Sequence, residues 1–147
     1  MAIYQDAKLT NHGRYYDIEL DASGDIATED SFEAAIVASL FIDRRAESSE
    51  IVIPERRRGW IGSHDREYKI GSKLWLYNQI RANDVSITNI ASEARNALQH
   101  FVDDGIANHV SAEVGIEDGK VNLKIRIEKP NNKVDYRYYT LWDNTGV

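Results

Sequence analysis

Apolar side chains along this chain fall first at every second position, then at every third or fourth, then at every second again. Near the N-terminus YYDIEL alternates, with Tyr16, Ile18 and Leu20 on one side and Tyr15, Asp17 and Glu19 on the other. That is the pattern of a half-exposed strand. Asp21-Ala22-Ser23-Gly24-Asp25 supplies turn chemistry, and Ile26-Ala27-Thr28 can return as a short second strand. Asp30 then reads as a helix cap, with Glu33 as its reciprocal capping-box partner. Phe32, Ile36, Val37, Leu40 and Phe41 form an apolar stripe at helical spacing, ending near Arg44-Arg45. Cations suit that end, where unpaired carbonyls carry partial negative charge.

Periodicity fades over residues 46–71, which hold Pro54, Gly59, Gly62 and Gly71. A loop this long in a small domain is usually functional or partner-bound. Ser72 can cap a short helix, KLWLYNQI, anchored by Leu74, Trp75, Tyr77 and Ile80. A long helix follows, begun by Asp84 or Ser86, with Ile87, Ile90, Ala94, Leu98 and Phe101 on one face and Gly105 as its C-terminal cap. The last third alternates again. Val110, Ala112, Val114 and Ile116 lead to Asp118-Gly119, a strong hairpin signal, and Val121, Leu123, Ile125 and Ile127 return. Pro130-Asn131-Asn132 makes another turn, and Val134, Tyr136, Tyr138 and Thr140 run out toward Trp142.

The predicted architecture is α+β: an N-terminal hairpin, helices, and a C-terminal antiparallel three-stranded meander packed against the long helix. One domain is expected over 1–147, with its core at about 15–142 and the long central loop between.

Composition narrows the chemistry. The chain has no cysteine, which excludes disulfides, thiolate metal sites and cysteine nucleophiles. No apolar run approaches the ~20 residues that span a bilayer. The start, MAIYQDAKLTNHGR, lacks the design of a signal peptide, so the expectation is a cytoplasmic chain or one leaving the cell by another route. His12, His64, His100 and His109 match no metal-binding spacing, and His100 is expected to face solvent or the carbonyl end of its helix. No cofactor motif is present. Glu33, Asp43, Glu55 and Asp65 can be nominated as an acid–base pair for a glycosidase. Each also has a plainer role: Glu33 in a cap, Asp43 and Glu55 beside arginines, Asp65 in a solvated loop.

The stretch PERRRGW, with Arg56, Arg57, Arg58 and Trp60, stands out in a chain of net charge −6. Between Arg44 and Lys69 seven basic residues face five acidic ones, an excess too small for a nucleic-acid footprint. Arginine with tryptophan favours protein interfaces, because guanidinium forks pair with carboxylates and stack on aromatic rings. Arg44, Arg45, Arg56, Arg57, Arg58 and Trp60 are therefore candidate partner-binding residues.

LFIDRRA (40–46), RGWIG (58–62), GSKLWL (71–76), a long helix ending in DDG (103–105) and a terminal hairpin occur here in that order. This succession resembles the phage Mu-type baseplate protein family, gene product forty-six, related to the lysozyme-like wedge and sheath-initiating protein of T4-like tails. The resemblance covers residues 16 to 142. It implies a non-enzymatic part of the inner baseplate of a contractile tail or related particle, present in several copies. Implied partners are larger wedge proteins, tail sheath subunits, and inner tube or spike-hub proteins, with no nucleic acid and no membrane. It implies a place in the virion, with assembly in the host cytoplasm. The strand ending KVDYRYYTLW would offer its edge to sheath subunits, with Tyr136, Tyr138, Tyr139 and Trp142 as contact area; burial on the chain's own helices is the other use for these rings. The alternative implied by lysozyme-like relatives is a small peptidoglycan hydrolase associated with a tail. Three departures stand: Ile61 where the pattern has a second tryptophan, Gly62-Ser63 where an acidic residue is common, and Asp104-Gly105-Ile106 where T4-like relatives carry Glu-Pro-Arg.

Overall fold

A computed structural model describes residues 6–11, 15–29, 33–51, 57–59, 70–78 and 83–144. Asp30, Phe32, Glu55, Arg56, Trp60, Asp65 and Ile80, along with His12 and His64, lie outside the described residues. The chain opens with four short strands, β1 (Asp6–Ala7), β2 (Leu9–Asn11), β3 (Tyr16–Ile18) and β4 (Thr28–Glu29). β2 pairs antiparallel with β3, and β1 pairs antiparallel with β4. The expected turn forms around Asp21, whose carboxylate accepts the Ser23 and Asp25 backbone N–H groups at 2.8 and 3.1 Å. Ile26 and Ala27 return against the YYDIEL segment, through the Leu20–Ile26 bridge and the Ala27 N–H on the Glu19 carbonyl at 2.8 Å, and Thr28–Glu29 continue as β4 against β1. Tyr16 packs on the core, whereas Ile18 and Leu20, expected on the same side, are exposed.

Helix α1 (Glu33–Phe41) buries Ile36, Ser39 and Leu40. Helix α2 (Asp84–Asp103) is capped by Asn83, whose side chain accepts the Ser86 N–H while the Ser86 hydroxyl receives the Asn83 N–H. The helix thus begins at Asp84, one of the two expected starts. At the other end Ile106 N–H reaches the Phe101 carbonyl at 2.9 Å and Gly105 N–H the Val102 carbonyl at 3.1 Å. Those two bonds, with Gly105 at φ +75°, complete a Schellman cap where the sequence placed it. KLWLYNQI yields a tighter element, a 3-10 helix at Leu74–Tyr77.

Strands β5 (His109–Glu117), β6 (Lys120–Glu128) and β7 (Val134–Asp143) form an antiparallel sheet in sequence order. Asp118 and Gly119, both at positive φ, make the two-residue turn between Glu117 and Lys120. β6 is the buried centre: Val121, Leu123, Ile125 and Ile127 meet Ile90, Ala94, Ala97, Leu98 and Phe101 of α2 in one core cluster. In β7 the inward positions are Asp135, Arg137 and Tyr139, opposite Ile127, Ile125 and Leu123. Tyr136, Tyr138 and Thr140 fall on the outer face with Arg126, Lys124 and Asn122. An irregularity at Val121/Asn122 then shifts the register, so that Trp142 pairs with Val121 and packs on the core.

Candidate functional site

The segment leaving α1 is tied to the start of the 3-10 helix by backbone bonds. Arg44 N–H donates to the Ser72 carbonyl at 2.9 Å and Ser72 N–H to the Ile42 carbonyl at 3.0 Å. The Ser72 hydroxyl donates to the Leu40 carbonyl, and the Trp75 indole N–H donates to the Arg44 carbonyl at 2.9 Å. Residues 57–59 dock onto this strap: Ala46 N–H reaches the Arg57 carbonyl at 2.9 Å, and Arg57 Nε returns a bond to the Ala46 carbonyl at 2.6 Å.

The arginines divide into two groups. Arg58 is held at home: its guanidinium pairs with Asp43 at 2.6 Å and lies 4.9 Å from the centre of the Trp75 ring. Its backbone sits at φ 56°, a left-handed conformation costing about 1–2 kcal/mol in an L-residue, which these two contacts help to offset. Arg44, Arg45 and Arg57 instead line a pocket of about 400 Å³ with Lys73 and Glu47. Arg45 is exposed and makes no ion pair among the described residues. Glu47 approaches Arg57 no closer than 3.9 Å, too far for a hydrogen bond, and its side chain is 75% exposed. Lys73 pairs with Glu50 at 2.8 Å, which raises the lysine pKa and lowers that of the carboxyl.

The C-terminal aromatics also separate. Tyr136 and Tyr138 are exposed, with the Lys124 ammonium 5.1 and 6.0 Å from their ring centres. Tyr139 is taken up by the protein's own core and meets the edge of Phe41 at 5.4 Å. Burial, and then the charge of Glu33, push its phenol far above the ordinary value. Trp142 is half-buried on the core, and its indole N–H is enclosed without a hydrogen-bond partner among the described residues.

Glu33 does more than the cap reading foresaw. Its carboxylate accepts Arg137 Nε at 2.9 Å and the Tyr139 hydroxyl at 3.3 Å. Burial chiefly, with Glu33 nearby, also raises the Tyr16 phenol. The nominated acid is thus packed against a cation and two phenols. Among the described residues no group of three or more His, Asp or Glu could hold a metal ion. No described helix is long and apolar enough to cross a membrane.

His100 is exposed, as expected, and its Nε2 also lies 2.8 Å from the buried Ser39 hydroxyl, which ties α2 to α1. Partial burial of the ring lowers its pKa below the ordinary value, against the opposing pull of Asp104. The unfolded chain therefore takes up this proton first as pH falls below about 6.5, and stability declines until the folded-state value is reached. His100→Gln should flatten the loss of thermal midpoint between about pH 7 and pH 5. Equal slopes for the two proteins would refute the linkage.

Fold and surfaces together define a small α+β protein with a basic strap on one side and an aromatic sheet face on another. The chain belongs to the family described as "Phage protein GP46", whose model matches residues 32–134. It is 31% identical over 114 residues to "Baseplate protein gp46" of Escherichia phage Mu, covering 75% of this chain and 78% of the relative. It is 34% identical over 106 residues to "Mu-like prophage FluMu protein gp46" of Haemophilus influenzae, covering 71% and 72%. The matched span takes in the strap, both helices and most of the sheet.

Ile18, Leu20 and Ile26 are surface residues that alternation alone does not single out. All three are at least half exposed, and the Leu20–Ile26 bridge holds two of them side by side.

Proposed function

We propose that this chain is a structural subunit of the inner baseplate of a contractile phage tail or related injection particle, docking onto larger wedge proteins and initiating sheath assembly. Family membership and the name of the Mu relative support the baseplate setting. The observation that carries the sheath role is β7. It is ten residues long and pairs on one side only among the described residues, with β6. Its free edge can take a strand from a sheath subunit through backbone hydrogen bonds, with Tyr136 and Tyr138 beside it for side-chain contact. The basic strap would face wedge proteins or the inner tube and spike-hub proteins. A net charge of −6 fits protein partners better than nucleic acid. The setting is the virion tail, with copies arranged around the baseplate after assembly in the host cytoplasm.

Replacing Tyr136 and Tyr138 together with alanine should leave stability within about 0.5 kcal/mol, because both rings are exposed. Particles carrying the double variant should incorporate the subunit yet show at least about tenfold fewer complete sheaths by electron microscopy, a loss of roughly 1.4 kcal/mol at the contact. Normally sheathed particles would remove the sheath role.

A further inference from the structure

We infer that the pocket between Arg44, Arg45, Arg57 and Lys73 receives carboxylates from an acidic segment of a neighbouring protein. This rests on the baseplate reading and specifies the chemistry of one of its contacts. Four cationic side chains line it with one carboxylate, Glu47, and the close ion pair of Lys73 is with Glu50 outside the lining, in a chain that is acidic overall. Such a gathering is costly unless an anion completes it. The backbone has already fixed its geometry: Arg44 is held by its bond to Ser72, and Arg57 by the reciprocal bonds to Ala46. Gly59 lies so close to this wall that a Cβ there would come within 2.7 Å of Arg45 Cβ. The cations are thus assembled before any partner arrives, which lowers the entropy lost on binding.

The resident anions leave capacity unused. Glu50 engages Lys73, but Glu47 is largely in solvent and stands beyond hydrogen-bond reach of Arg57. Arg57 spends Nε on the Ala46 carbonyl, and Arg45 is unpaired among the described residues. Guanidinium groups present paired N–H donors that match the two oxygens of a carboxylate. A volume of about 400 Å³ is at the lower end of ligand-sized pockets and suits one or two acidic side chains. Long polyanions such as nucleic acid would meet the acidic remainder of the surface. A short acidic stretch of polypeptide would not have to. Glu47, at the rim, competes with the incoming carboxylate and can swing into solvent as it binds.

Titration calorimetry of the full chain with a hexaglutamate peptide tests this, with hexaglutamine and inorganic phosphate as comparisons at matched ionic strength. Saturable binding is expected for hexaglutamate and not for hexaglutamine. It should weaken at least tenfold in Arg45→Ala and in Lys73→Gln, strengthen in Glu47→Gln, and stay unchanged in Lys124→Ala on the outer sheet face. Absence of saturable hexaglutamate binding overturns the proposal. Phosphate binding with the same dependence on these variants also overturns it, reassigning the pocket to phosphate. In particles, Arg45→Glu should abolish incorporation while the purified variant melts like the parent chain. Normal incorporation of Arg45→Glu would overturn the docking role and leave the baseplate reading intact. If the parent chain itself is missing from purified particles, the baseplate reading fails even where the peptide binds.

Discussion

Gly71→Ala is expected to destabilise the protein by about 3–4 kcal/mol, a large fraction of the stability of a small domain. Gly71 adopts φ +95°, and an added Cβ would be driven into the Ile42 carbonyl, with the Arg44 nitrogen 3.3 Å away. That carbonyl is the acceptor for Ser72 N–H, so the methyl group strikes the bond that fastens the strap. The left-handed backbone costs about 1–2 kcal/mol for alanine, and displacing packed backbone adds about 1–3 kcal/mol. Gly105 provides the internal comparison. It sits at φ +75°, and an added methyl group there would meet nothing within 4 Å, so Gly105→Ala should cost only about 1 kcal/mol. Urea denaturation of the two variants measures the difference. Equal losses would mean that the close approach of residues 42 and 71 contributes nothing. Because Arg44 hangs from the same bridge, Gly71→Ala should also weaken hexaglutamate binding under conditions where the protein remains folded.

What the sequence disclosed was local. Alternation located β5, β6 and β7, Asp118-Gly119 announced its hairpin, and Gly105 announced its cap, because each depends on neighbours within a turn or a strand. The strap was hidden because its bridge joins Asp43 to Ser72 across a stretch without periodicity. KLWLYNQI carried apolar anchors that fit several helical windings, and the spacing alone does not distinguish the 3-10 turn at Leu74–Tyr77 from an α-helical one. In the arginine triplet, composition could show the cations but not their directions. Arg58 turns inward to Asp43 and Trp75 while Arg57 opens to the pocket, a distinction set by one left-handed residue. The run of Tyr136, Tyr138 and Thr140 drew attention to the outer face of β7. The inner set, Asp135, Arg137 and Tyr139, is less apolar, and it becomes intelligible only once Glu33, more than a hundred residues away in sequence, is placed against it.

That inner face supplies the second large effect: Arg137→Ala is expected to cost on the order of 3 kcal/mol. The Arg137 and Glu33 side chains are 25% and 19% exposed, and their 2.9 Å contact fastens β7 to the start of α1. Removing the guanidinium leaves Glu33 facing the Tyr139 hydroxyl without its cation, while Asp135 retains Lys129 at 2.7 Å. The cost is therefore mainly that of an orphaned charge, not of a lost attraction. The double variant Glu33→Gln/Arg137→Met should accordingly recover most of the loss, giving a coupling of about 2 kcal/mol in a double-mutant cycle. Additive losses would show that the two side chains act independently. Hydrogen exchange offers a local readout: amides of β7 should open faster in Arg137→Ala than amides at the centre of β6, which keep their apolar cover from α2. A β7 that opens this way presents a poorer template for strand addition, so the same substitution should reduce complete sheaths while leaving the Tyr136 and Tyr138 side chains and the basic pocket unaltered. The bond from Arg137 to the Tyr136 carbonyl is lost with the guanidinium. Sheath formation restored in the double variant would tie the rigidity of the free edge to its proposed use.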